Sequence, residues 1–177
     1  MVGIELRKGG RAAPTIRLAS PADTPAMARV LAEAFAAFQP LYTPGGFAAT
    51  TPSAEEIVQR FGEGPLWVAE QASGIVGTAS AVVKGAGLYV RSVAVLPAAR
   101  GRGVGQALMA AVEAYARAEG CQRMFLSTTP MLNSAIRMYE GLGFQRSDEG
   151  PHDLYGTPLF TMVKNLPAGR SVGRVPD

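Results

Sequence analysis

Apolar and polar positions along this chain change period several times, and each change marks a predicted element. Thr15-Ile16-Arg17-Leu18-Ala19 alternates at period two, as a strand with one buried face does. From Pro21 to Phe38 the period lengthens, and Met27, Val30, Leu31, Ala34, Phe35 and Phe38 share one helical face. Ser53-Ala54-Glu55-Glu56 has the form of a capping box and opens a second helix through Phe61. Leu66–Gln71 and Ile75–Val83 flank Ala72-Ser73-Gly74, which predicts a hairpin. Lys84 to Gly87 turns into a fourth strand, Leu88–Val95. Val104, Leu108, Ala111, Val112 and Tyr115 then recur at helical spacing. A fifth strand follows at Arg123–Thr129, parallel to the fourth because a helix joins them. Asn133–Leu142 reads as another helix: Asn133 is its N-cap, Ala135, Met138, Tyr139 and Leu142 form its stripe, and Gly143 closes it in a left-handed conformation. Phe144–Ser147 and Leu159–Lys164 are the last strands, joined by a loop from Asp148 to Pro158.

These elements predict an α/β fold of the mixed α+β kind. Its central sheet is mixed but mostly antiparallel, about six or seven strands wide, with helices on both faces. One domain covers residues 14–166. The polar, non-periodic ends, 1–13 and 167–177, read as mobile tails. In the fourth strand Arg91 and Ser92 break the apolar alternation, as at a β-bulge, unless Ser92 is simply one polar residue near a strand end.

Composition narrows the class. The chain has 177 residues, 47% hydrophobic and 18% charged, enough for one packed core and ordinary for a globular protein. Its apolar runs stop well short of the ~18 residues a membrane span needs, and Met1 to Pro14 lacks the apolar segment of a secretory signal. Cys121 is alone, so no internal disulfide forms, which fits a cytoplasmic protein. A single His and a single Cys exclude a structural zinc site, and no metal is expected. The net charge of +3 and pI near 9.3 raise the question of nucleic acid. The basic residues, however, gather at Arg91, Arg100 and Arg102 and in the ends, at Arg7, Lys8, Arg11, Arg170 and Arg174, with no stripe interleaved with aromatics. Neither a nucleic acid nor a membrane is an expected partner.

The densest chemistry lies in Arg100-Gly101-Arg102-Gly103-Val104-Gly105, between the fourth strand and the helix after it. Glycines reach positive φ and leave no Cβ between amides and a ligand, and the first turn of a helix has free N–H groups aided by the macrodipole. A phosphate fits such a site. The string lacks the Lys-Ser/Thr ending of a P-loop. Gly120-Cys121-Gln122 also stands where a dinucleotide fold would place its acidic residue. Taken by itself, it reads equally as a phosphate cradle and as a tight connection.

Two motifs together say more. Arg100, Gly103 and Gly105 fit the Gln/Arg-x-x-Gly-x-Gly/Ala signature of the GNAT superfamily of acyl-CoA-dependent N-acetyltransferases. Asn133, Ile136 or Arg137, Tyr139 and Gly143-Phe144 approximate its second signature, in the usual order and at the usual separation. From about Thr15 to Leu166 the chain resembles that family.

The resemblance implies acetyl-CoA as co-substrate and direct attack of an amine on the thioester in a ternary complex, by a protein acting as a monomer or homodimer. Backbone amides from Gly101, Arg102, Gly103, Val104, Gly105 and Gln106 would hold the pyrophosphate, with added charge from Arg100 and Arg102. Val93, Ala94 and Val95 would offer backbone groups to the pantetheine, which requires the fourth and fifth strands to splay. Asn133 would cap its helix, bond the pantetheine arm, or do both. Tyr139 stands where the family has its general acid, for which a phenol protonated at neutral pH is suited; the other reading is a packed core tyrosine. No carboxylate occupies the fourth strand, which leaves water held by Ser92, backbone carbonyls, Glu70 or the lone His152 for the base. Phe38, Tyr42, Phe47, Trp67, Asp148, Asp153 and Tyr155 are expected around the acceptor, the carboxylates suiting a cationic amine. Two other classes keep the same fold: a non-catalytic acyl-CoA-binding or sensor module, and an interaction protein whose glycine loop binds nothing.

Overall fold

A computed structural model describes residues 12–168. The expected tails, 1–13 and 167–177, lie outside this range apart from residues 12, 13, 167 and 168. Nine strands and five α-helices run in the order β1 (Thr15–Leu18), α1 (Thr24–Phe35), α2 (Pro44–Thr50), α3 (Ala54–Arg60), β2 (Leu66–Gln71), β3 (Gly74–Lys84), β4 (Gly87–Val95), α4 (Val104–Ala118), β5 (Arg123–Thr128), α5 (Asn133–Gly141), β6 (Gln145–Ser147), β7 (Asp153–Leu154), β8 (Thr157–Pro158) and β9 (Phe160–Asn165). The main sheet has seven strands in the order β1-β2-β3-β4-β5-β9-β6, and β7 and β8 make a separate hairpin. Every pair in the main sheet is antiparallel except β4–β5. The expected fold class is what forms.

One face of the sheet packs on α1 and α3 through Met27, Val30, Leu31, Ala34 and Ile57. The other packs on α4 through Val104, Leu108, Met109, Val112 and Ala116. The Ser53–Glu56 capping box opens α3 as expected: Glu56 N–H donates to Ser53 Oγ and Ser53 N–H to Glu56 Oε2. Three local expectations are revised. The long helix over Pro21–Phe38 is divided, with 3-10 turns at Pro21–Asp23 and Ala36–Leu41 on either side of α1. α2 is an additional helix, started by Thr43 Oγ1 accepting from Gly46 N–H. The loop expected from Asp148 to Pro158 contains the β7–β8 hairpin, whose two turn residues, Tyr155 and Gly156, both have positive φ.

Two features of β4 position the site. Between the Thr78–Ala94 and Ser80–Arg91 pairs the β3–β4 register slips, and Ser92 has φ +54°. The polar break in the alternation is therefore a bulge. Its extra residue inverts the facing of the strand: Leu88 and Val90 enter the core beneath α4, Val93 and Val95 pack on that same core, and Ala94 turns to the α1 side. The parallel ladder with β5 stops at the Tyr89–Phe125 pair. From Val90 onward β4 leaves β5, and the expected splay opens there.

Candidate active site

The splay leads into a cavity of about 770 Å³. Its walls are β4 from Tyr89 to Val95, the end of β5 with Ser127 to Thr129, the loop and start of α4, and α5 through Ser134, Ala135, Met138 and Tyr139. Phe35, Phe38, Tyr42, Thr50 and Arg60 close one side, and Leu154 and Leu159 border it from the late segment.

At the glycine loop, Gly101 and Gly103 sit at φ +73° and +76°, and a Cβ built on either would meet nothing within 4 Å. The space above these backbones is open, as an approaching ligand needs. Gly103 is the N-cap of α4, and its carbonyl accepts from Ala107 N–H at 3.0 Å. The amides of residues 101–106 donate to no acceptor among the described residues. Free N–H groups at a helix start are what an anion can bind to, and the helix dipole adds to that. Gly105 has a different reason to be glycine: a Cβ there would lie 2.7 Å from Met138 Sδ, so it lets α4 pack on α5. Arg100 donates through Nη2 to the Ala34 carbonyl at 2.8 Å, which ties the loop to the end of α1. Arg102 is exposed and lies outside the cavity walls.

Tyr139 is placed by the end of its own helix. Gly143, at φ +95°, donates to the Glu140 carbonyl, and Phe144 N–H donates to the Tyr139 carbonyl, both at 3.0 Å. This is a Schellman closure, in which the residue after the glycine packs back on the last turn. Here that contact is the Phe144 ring at 5.8 Å from the Tyr139 ring. Tyr139 is buried yet lines the cavity, and its hydroxyl makes no hydrogen bond to a described residue. Burial pushes its pKa well above the usual phenol range.

Asn133 is the first helical residue of α5 and exposed. Leu132 occupies the N-cap position, so the expected capping role is not made, and Leu132, Ser134 and Ala135 line the cavity where Asn133 does not. Trp67 is a core residue, stacked edge-on against Tyr115 at 5.6 Å. Phe47 supports Tyr42 at 6.0 Å from behind. Asp148, Asp153 and Tyr155 are absent from the walls; Asp153 instead accepts from Gly156 N–H. Of the base options, Glu70 accepts from Arg17 Nε at 3.1 Å, away from the cavity, and His152 is exposed in its loop. Ser92 does line the cavity, but its Oγ accepts from Arg60 Nη1 at 2.6 Å.

Arg60 is the charged cavity residue that the sequence did not point to. Its place three residues after the buried Ile57 put it on the inner side of α3, but which strand it would reach was not encoded locally. Tyr89 beside it has its pKa raised by burial, with the Arg60 charge acting against that.

A profile of the acetyltransferase (GNAT) family matches residues 30–144. The chain belongs to that family. It is 31% identical over 141 residues to YjgM, an uncharacterized N-acetyltransferase of Escherichia coli (strain K12), covering 76% of this chain and 84% of that one. It is also 36% identical over 90 residues to the probable N-acetyltransferase family 8 member 5 of Mus musculus, covering 48% of this chain and 40% of the relative. Among solved structures, the PaiA N-acetyltransferase of Thermoplasma acidophilum in complex with coenzyme A superposes with a TM-score of 0.74 at 16% identity, over 88% of this chain and all (100%) of that one. The ribosomal-protein-S18-alanine N-acetyltransferase of Escherichia coli gives 0.71 at 19% identity, over 91% and 99%. These two likenesses are of fold. The GNAT profile ends at Phe144, the ring that backs Tyr139.

Proposed function

We propose that residues 14–166 form a single N-acetyltransferase domain that moves an acetyl group from acetyl-CoA to a primary amine by direct attack in a ternary complex. The observation that carries this reading is that one cavity is lined together by a loop of free amides (Gly101 and Gly103 to Gln106), an unpaired strand edge and a buried phenol. The geometry fits the co-substrate: a Cβ at Gly101 or Gly103 would occupy open space, which a pyrophosphate can take instead. Bound acetyl-CoA supplies the thioester that the amine attacks and the thiolate that leaves. The amides of 101–106 bind the pyrophosphate, and Arg100 steadies the loop they belong to. Val93, Ala94 and Val95 give the pantetheine a strand to lie along. Tyr139 holds the proton that the leaving sulfur takes up. Burial raises the phenol, but a thiolate formed in the same cavity is desolvated too, so both acids shift upward together. No Asp or Glu lines the cavity, so amine deprotonation falls to water, which backbone carbonyls can orient and which carries the proton to solvent. The bulge residue Ser92 and its neighbours Arg91 and Val93 line that cavity.

Among the described residues no helix is long and apolar enough to cross a membrane, and no group of three or more His, Cys, Asp or Glu could hold a metal. A cytoplasmic enzyme that uses acetyl-CoA and no metal stays part of the proposal, and the one cysteine, Cys121, is free and buried.

A thiol-release screen across primary amines at saturating acetyl-CoA tests the reading. Saturable release that requires an amine is expected. Tight CoA binding with no release from any amine would make the protein a CoA sensor instead.

A further inference from the structure

The acceptor side of the cavity carries a cation that no carboxylate bonds, and no Asp or Glu lines the cavity beside it. A guanidinium has five N–H donors, and among the described residues the Arg60 side chain has one hydrogen-bond acceptor, Ser92 Oγ at 2.6 Å. Burial lowers its pKa, with the charges of Glu56 and of the Tyr89 phenol group acting against that. Glu56 offsets part of the charge from a distance but makes no ion pair with Arg60, and its Oε2 accepts from Ser53 N–H at 2.7 Å. The neighbouring Arg91 adds a second cation, ion-paired with Glu63 outside the cavity walls. A half-buried guanidinium with one hydrogen-bond partner and no ion pair is unfavourable, and the fold leaves part of that cost standing.

The position of Arg60 says what would offset it. The phosphate loop begins at Gly101, and the strand assigned to the pantetheine runs back from Val95 to Val93. Ser92 is therefore at the far, thioester end of that path, and Arg60 is bonded to it. An anion held by Arg60 lies close to the reacting amine, so both belong to one small molecule with few bonds between them. A carboxylate matches the flat edge of a guanidinium with two parallel hydrogen bonds.

We infer that Arg60 is a specificity-determining residue that binds a carboxylate on the acceptor, which makes the acceptor an amino acid or a close analogue rather than a simple amine. This rests on the acetyltransferase reading above, and it reverses the expectation of an acidic pocket built from Asp148 and Asp153.

The test compares phenylalanine, its primary amide and phenethylamine as acceptors, the ring chosen to suit Phe35 and Phe38. In the wild-type enzyme kcat/KM is expected to be at least tenfold higher for the acid than for either partner. In Arg60→Gln that ratio falls to within twofold of one, and Arg60→Lys recovers part of it. Unaltered CoA affinity shows that the variants are folded. A wild-type ratio near one overturns the inference, as does a ratio undiminished in folded Arg60→Gln. If the variants do not fold, the wild-type ratio decides alone. If no amine is acetylated, the acetyltransferase reading fails while Arg60 stays testable. Calorimetry on the CoA-loaded protein then compares N-acetylphenylalanine with N-acetylphenethylamine. Tenfold tighter binding of the acid supports the carboxylate site, and equal binding removes it.

Discussion

Tyr139 owes its proposed role to its surroundings. The Schellman closure fixes its backbone, Phe144 backs its ring, and the hydroxyl is left without a protein partner. Tyr139→Phe keeps the ring and removes only the oxygen. We expect kcat to fall on the order of 10²–10⁴ with CoA affinity nearly unchanged, measured by steady-state kinetics and calorimetry. Turnover within twofold of wild type, with chemistry rate-limiting, would make Tyr139 a packing residue. Burial also predicts a stability effect. The folded pKa of Tyr139 is raised above that of the unfolded chain, near 10. The stabilisation is complete below that value. It is lost as pH rises above it, because the unfolded chain gives up a proton that the folded one retains. Alkaline denaturation should therefore be shallower in Tyr139→Phe by about 1.4 kcal/mol per pH unit above pH ~10. Parallel curves for the two proteins would place the phenol in water.

At the scale of elements, the two signature glycines separate. Gly103→Ala puts a methyl group into open space at φ +76°, a strain of about 1–2 kcal/mol, and into the path of the pyrophosphate. CoA affinity should drop at least tenfold, about 1.4 kcal/mol, in a folded protein. Gly105→Ala drives its methyl into Met138 and should first cost stability, which Met138→Ala restores. Equal behaviour of the two variants would contradict this division. The entry to α1 has its own pH dependence. Arg17 holds Asp23 with two hydrogen bonds, at 2.8 and 3.0 Å, and the Asp23 carboxyl is pushed down to about 2. Its stabilisation is present above the ordinary carboxylate pKa and lost as pH falls toward 2. Asp23→Asn should thus melt lower than wild type at pH 6 and equally near pH 2; a constant gap would assign the effect to packing.

Across the whole molecule, what could be read from the sequence was whatever repeats within one element. Half-buried strands and helices showed their periods, Arg91-Ser92 showed the bulge, and Gly143 showed the end of α5. α2 stayed hidden because Pro44, Gly45 and Gly46 are poor helix formers, and Thr43 is held from outside, its N–H donating to Thr157 Oγ1 at 2.9 Å. Trp67 and Arg60 were misjudged or missed for one reason: whether a side chain meets the core or the cavity is decided by strands far away in the chain. In the proposed function the splayed β4 and the loop before α4 together cradle CoA. Amide hydrogen exchange, followed by mass spectrometry with and without saturating CoA, tests it most directly. Exchange should slow over residues 93–95 and 101–106 and stay unchanged at the Lys84–Gly87 turn on the far end of the sheet. Bound CoA that leaves 101–106 exchanging at the free rate would contradict the account.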